Sequence, residues 1–183
     1  MEINKYNYRR GGYLTPLDLS KIDSIAIHHT ENDNSIDVNT DYHMDVNKWS
    51  WLGYNYYIAH GVIYEVRGYK YKAAGVKHEN HHVMSIAVQG NYDIKIPSQK
   101  DMDALQYLCD YLKAKVPSIK NIKGHNHWNQ TSCPGKLFPI KTLKLNNNDY
   151  VTKQQLDSEL KKIKQDIRKL KEVLIVESDI RVR

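Results

Sequence analysis

The sequence predicts an α/β fold. Three observations carry that reading. Segments rich in Ile, Val and Tyr recur between residues 22 and 89, a strongly helical segment follows at 98–116, and Gly, Asn and Pro punctuate the boundaries. The chain has 183 residues, enough for one ordinary domain and a short appendage. Apolar residues make up 40% and charged residues 26%, the balance of a soluble globular protein rather than a disordered or membrane-embedded one.

The elements follow in order. Residues 1–20 carry Arg9, Arg10, Gly11, Gly12 and Pro16 and read as an irregular arm. Residues 22–29 (IDSIAIHH) alternate and read as a strand, and 32–35 as a polar turn. Residues 36–49 suit a helix, with Ile36, Thr40, His43 and Val46 or Asn47 along one face. Residues 54–59 and 62–66 read as two strands joined at His60-Gly61, a hairpin signal. A Gly- and His-containing loop spans 73–82, and a strand spans 83–89, stopping at Gly90. Ser98 and Asp101 form a capping box before a helix whose apolar face is Met102, Leu105, Leu108, Cys109, Leu112 and Val116. Pro117 ends it. Residues 119–123 form a short strand and 124–135 a loop.

The character of the chain changes after residue 144. Residues 145–150 (LNNNDY) read as a linker between a domain at 1–144 and a tail at 151–183. In the tail, Leu156, Leu160, Ile163, Ile167, Leu170 and Leu174 form a heptad seam flanked by Lys and Glu. Such a seam suits a homo-oligomer, attachment of another module, or a helix lying back on the domain. The last residues, 175–183, alternate again, as a strand or a frayed end.

The formal net charge is +6, which suits an anionic partner: nucleic acid, a membrane surface or an acid-polymer-coated wall. No nucleic-acid motif is present, and the Lys and Arg are scattered or gathered in the tail, so no nucleic-acid partner is expected. No apolar run approaches the roughly 20 residues of a membrane span, so no membrane partner is expected either. The start, MEINKYNYRRGGY, lacks the apolar core of a secretory signal. The chain is expected to be made in a cytoplasm and to act outside it only after release. Two cysteines are too few for a disulfide framework. The 14 tyrosines, many of them between Tyr42 and Tyr71, suit either sugar- or base-stacking platforms or an aromatic core with hydroxyls at its edges.

Of nine histidines, seven cluster at His28-His29, His78, His81-His82, and His125 with His127. The segment Gly124-His-Asn-His-Trp-Asn-Gln-Thr-Ser-Cys-Pro-Gly135 places a His and a Cys eight residues apart between turn residues. Imidazole and thiolate are both zinc ligands, and three protein ligands plus an open position make the catalytic pattern. The end of the first long strand, at His28 and His29, is a rigid place for the third.

The runs IAIHHT, DYHM, WLGYNYYI, VIYEVRGY and GHNHWNQTSCPGKLF, in that order, resemble the zinc N-acetylmuramoyl-L-alanine amidases of the type-2 family. That family includes phage endolysins and peptidoglycan-recognition proteins, and the resemblance covers roughly residues 22–138. It implies a mixed central sheet flanked by helices, a Zn2+ cofactor and bacterial peptidoglycan as partner. It also implies cleavage of the amide between N-acetylmuramic acid and the L-alanine of the stem peptide. Its ligands map to His28, His125 and Cys133. Strand alternation favours His28 over His29, because His28 shares a face with Ser24 and Ala26 while His29 shares the likelier core face with Ile25 and Ile27.

The resemblance also suggests roles for other residues. Tyr54, in the Gly-Tyr pair, matches a tyrosine that donates to the developing oxyanion. Thr131 stands where relatives carry Lys or Thr; its hydroxyl can hydrogen-bond but supplies no charge. Gln89 stands where many phage members carry Glu, and an amide can orient a water without taking its proton. His43 matches, and His78 lies near, a substrate-side histidine of the family, with a solvated histidine the alternative for each, and His127 is then a supporting or substrate-binding residue. The absence of a signal peptide favours a phage endolysin over an autolysin. Cys109, on the apolar face of its helix, is expected to be an ordinary core residue.

Overall fold

A computed structural model of the protein describes residues 1–146 and 159–168. It contains two compact units, Met1–Asn147 and Asn148–Arg183. In the second, residues 159–168 are helical, and Leu160, Ile163 and Ile167 are exposed. Leu156, Leu170, Leu174, the end of the proposed linker and the last alternating segment lie outside the described residues.

The first unit is a mixed six-stranded sheet with helices, as the resemblance implies. Its elements are β1 (Ile3–Lys5), β2 (Ser24–His29), α1 (Ile36–Asp41), β3 (Tyr56–Ala59), β4 (Val62–Glu65), β5 (Val83–Val88), α2 (Gln99–Lys115) and β6 (Asn121–Gly124). The strand order is β1-β4-β3-β5-β2-β6. Only β3 and β4 run antiparallel; β2 is flanked by parallel β5 and β6, with Ser24 opposite both Val83 and Asn121. The central strands β2 and β5 are buried along their whole length, which fits their near-continuous apolar and small residues up to His28 and His29.

Alternation sorts β2 between two environments. Ile25 and Ile27 join the main core with Leu105, Leu108, Cys109 and Leu112 of α2. Ala26 packs with Val76 and Val83, beneath Trp128. A second core, built from Trp51, Leu52, Tyr57 and Ala87, lies around the other residues of β3 and β5.

Four local features differ from the sequence reading. The amino-terminal arm contains β1, paired parallel to β4 with Ile3 opposite Ile63. A three-residue strand with one apolar side chain has no periodicity to reveal it; the free edge of β4 supplies its partners. The helix beginning at Ile36 is α-helical only to Asp41 and continues as a π-helical turn, Tyr42–Val46, closed by the Asn47 N–H donating to the Tyr42 carbonyl at 3.2 Å. β3 starts two residues late because Asn55 is buried in side-chain bonds. Its amide donates to the Gly68 and Tyr71 carbonyls and accepts the Ser85 N–H. At α2, Asp101 does not close a reciprocal capping box on the backbone. Its carboxylate accepts the Ser98 hydroxyl and the Gly61 N–H instead, tying the helix start to the β3–β4 turn. That turn has left-handed φ at both His60 (55°) and Gly61 (79°), the geometry of a tight hairpin.

Candidate metal centre and cleft

The site gathers at the carboxyl end of β2, where the sheet meets the loop after β6. His28 ends the Ser24–Ala26 face and is 2% exposed. The backbone at Gly75 passes directly behind its ring. A Cβ there would stand 3.1 Å from His28 Nε2 and 2.7 Å from Ser85 Oγ. His29 points the other way, its Nδ1 accepting the Tyr92 N–H at 3.2 Å.

Cys133 is delivered by the 124–135 loop. Thr131 Oγ1 accepts the Cys133 N–H at 3.2 Å, and the Cys133 carbonyl accepts the Asn126 N–H at 2.9 Å. The sulfur accepts the His29 N–H at 3.4 Å and lies 3.7 Å from His28 Nδ1. His125 begins a 3₁₀ turn after β6, with its ring centroid 4.4 Å from that of His28. Its Nε2 lies 2.9 Å from Asn129 Oδ1. An amide oxygen only accepts, so the proton sits on Nε2 and the Nδ1 lone pair is left over. The ligand atoms of His28, His125 and Cys133 lie within 4.8 Å of one another.

This donor set suits zinc, which takes thiolate and imidazole together. Three observations bear on the fit. Asn129 orients His125 from behind, as a ligand histidine is normally held. The Cys133 thiol is pushed up to about 12 by burial, against the smaller lowering effect of the His29 N–H, so its thiolate needs a positive partner. Burial, followed by the charges of His125, His29 and His43, holds His28 well below the usual histidine range and so neutral, as a metal ligand must be.

Tyr54 stands beside this cluster, its ring centroid 5.3 Å from that of His28 and 5.5 Å from that of His43. Burial above all raises its pKa, so the phenol stays protonated. His43 Nδ1 accepts the Gly53 N–H at 3.0 Å, which ties the π-helical turn to the residue before Tyr54. A Cβ at Gly53 would come within 2.4 Å of Trp49, so the close stack of His43, Trp49 and Gly53 requires glycine. A cleft of about 300 Å³ opens from Tyr54 and His43 and is lined further by Thr30, Asn32, Asn34, Val38, Asn39 and Tyr42.

The remaining candidates stand apart from this group. Gln89 donates its amide to the Asp33 and Asn34 carbonyls and faces a separate cavity with His60, Tyr92 and Lys95. His78 is exposed in a left-handed conformation (φ 71°), its carbonyl bound by His81. His127 is exposed and lies edge-on to Trp128. Sequence reasoning passed over Asn129, Gly75 and Glu31. Glu31 brings its carboxylate 3.4 Å from His29 Nε2, and its charge reaches both Tyr54 and Cys133. The one available signal was for Asn129: an amide four residues after a candidate ligand in the same loop.

Known proteins with related sequences carry the same fold. The chain is 29% identical to the endolysin N-acetylmuramoyl-L-alanine amidase LysCS from Clostridium intestinale, with a TM-score of 0.71 over 78% of this chain and 93% of that one. It is 26% identical to a peptidoglycan-recognition protein in the LCa–LCx ectodomain complex bound to tracheal cytotoxin, with a TM-score of 0.68 over 79% of this chain and 95% of that one. An N-acetylmuramoyl-L-alanine amidase from Sus scrofa is 26% identical over 98 residues, which are 51% of this chain but only 16% of the pig protein. The N-acetylmuramoyl-L-alanine amidase family pattern matches residues 18–136, a stretch that holds β2, the cleft and the Cys133 loop, and the chain belongs to that family.

Proposed function

We propose that the protein is a zinc-dependent peptidoglycan hydrolase that cleaves the amide between N-acetylmuramic acid and the L-alanine of the stem peptide, and that it serves as a phage endolysin. The observation that carries this is the convergence of His28, His125 and Cys133 within 4.8 Å of one another, next to the protonated Tyr54. Zinc held there would lower the pKa of a water to about 7 and polarise the scissile carbonyl.

The chain's own residues set the rest. Asn129 fixes the ring of His125, and the Thr131 hydroxyl and the His29 N–H fix Cys133. Tyr54 donates its phenolic hydrogen to the oxygen that gains charge as the amide carbon becomes tetrahedral. His43, neutral because burial and then Arg67 lower it to about 4, holds Gly53 and hence Tyr54 in place. The cleft on the Asn39 and Tyr42 side receives the peptide or muramyl group. Gln89 donates to backbone carbonyls and Thr131 accepts a backbone N–H, and Glu31, whose charge reaches both Tyr54 and Cys133, is the carboxylate assigned to receive a proton.

The likeness to an endolysin amidase supports the lytic reading. The test is digestion of purified walls. New L-alanine amino termini without new reducing sugar ends, abolished by chelation and restored by zinc, are the expected result. Reducing ends alone would overturn the assignment.

A further inference from the structure

We infer that Glu79, His81 and His82 form a second site for a divalent transition cation, separate from the His28–His125–Cys133 centre. Their ligand atoms lie within 4.8 Å of one another. Each histidine is set up from behind as a ligand. His82 Nδ1 lies 3.0 Å from Asp23 Oδ1, and a carboxylate oxygen accepts, so Nδ1 carries the proton. Asp23 is itself held by the Ser24 hydroxyl at 2.6 Å. His81 Nδ1 lies 3.1 Å from the His78 carbonyl, which again fixes the proton on Nδ1. Each ring is thereby left with Nε2 as the atom a cation can take, that of His82 facing Glu79. A carboxylate behind one imidazole and a backbone carbonyl behind the other are the usual outer partners of metal-bound histidine.

Glu79 Oε2 stands 2.9 Å from His82 Nε2. In the metal-free chain a proton joins these two atoms; a cation bound to both takes that proton's place. Two imidazoles and one carboxylate make a zinc donor set with room for water.

The two centres sit at opposite ends of one strand. His82 precedes Val83, which pairs with Ser24 at the start of β2, and His28 lies four residues on, about 13 Å along a strand. A single loop joins them. Gly75 packs behind His28, the Lys77 N–H donates to Asn129 Oδ1 at 3.1 Å, and the loop ends in the three proposed ligands. A cation there fastens the loop that braces the catalytic histidines.

The experiment counts zinc on the full chain in a low-micromolar free-zinc buffer. Cys133→Ser removes the first centre. Zinc that remains on Cys133→Ser and binds about tenfold or more weakly once His81→Ala is added supports the second site. No zinc on Cys133→Ser, or equal binding with and without His81→Ala, overturns it. Should Cys133→Ser fail to fold, cobalt titration of the unsubstituted chain separates the sites. Thiolate-to-cobalt absorption reports Cys133 alone, so a further equivalent that adds no such band and vanishes in His81→Ala supports the site, and its absence overturns it. Loss of the thiolate band with the further equivalent intact would instead speak against the first centre.

Discussion

At the scale of single residues, Tyr54 touches two of the imidazoles around the centre, and burial keeps its hydroxyl protonated. If it donates to the oxyanion, Tyr54→Phe removes one donor while leaving the ring packing. Turnover on purified walls should fall by about 10²–10³-fold with KM and zinc content near those of the native chain. A variant within a few-fold of native turnover would remove Tyr54 from the chemistry. The candidate ligands were readable because each sits at a position that sequence marks: a strand end for His28 and a turn-bounded loop for His125 and Cys133. The residues that orient them were not. Asn129 and Gly75 act through contacts between the 73–82 and 124–135 loops, and no pattern within either loop announces a partner in the other. Gln89 shows the converse. The resemblance places it where relatives carry Glu and an amide could orient a water, whereas the fold brings the Asp33 and Asn34 carbonyls to its amide first.

The elements follow the same division between local and non-local causes. β2, β5 and α2 carry their own periodicity and were legible; β1 exists only because β4 offers an edge, and the π-helical turn only because Gly53 and Trp49 close on His43. The loop that carries Cys133 depends on a backbone approach of the same non-local kind. Gly135 has φ 99°, and a Cβ there would lie 2.4 Å from the Tyr92 carbonyl carbon. Neither the conformation nor the backbone neighbour can yield cheaply. Gly135→Ala should therefore cost about 1–3 kcal/mol or more, seen as a lower urea midpoint, with zinc affinity falling in parallel. Unchanged stability would mean that the loop has another conformation available.

Across the whole molecule, the histidines give the metal-free protein a pH dependence with a definite sign. His28, His29, His43 and His125 all titrate below the ordinary histidine range, in each case chiefly through burial, and His43 reaches about 4. An unfolded chain binds these protons near pH 6.5, before the folded chain does. Each such group therefore contributes stability that is complete above about pH 6.5 and is lost as the pH falls from there toward its folded value. His82 opposes them. Burial lowers it, but bonds to Asp23 and Glu79 outweigh that and raise it, so its contribution is complete below about 6.5 and is lost as the pH rises through its folded value. Four groups against one decide the direction. The lowered carboxylates Asp18, Asp23, Asp45 and Asp93 stay out of this window, because they titrate at or below the ordinary carboxylate range. Chelated protein should accordingly unfold at a lower urea concentration at pH 5 than at pH 7.5, and most of that difference should vanish in His43→Gln, which keeps a side-chain acceptor for the Gly53 N–H, only if His43 dominates. If the four share it, His43→Gln trims the difference without abolishing it, and the burial of His28 and His125 between the sheet and the Cys133 loop makes sharing the expected result. A midpoint that is flat or rises toward pH 5 would show that these histidines are solvated in the metal-free chain.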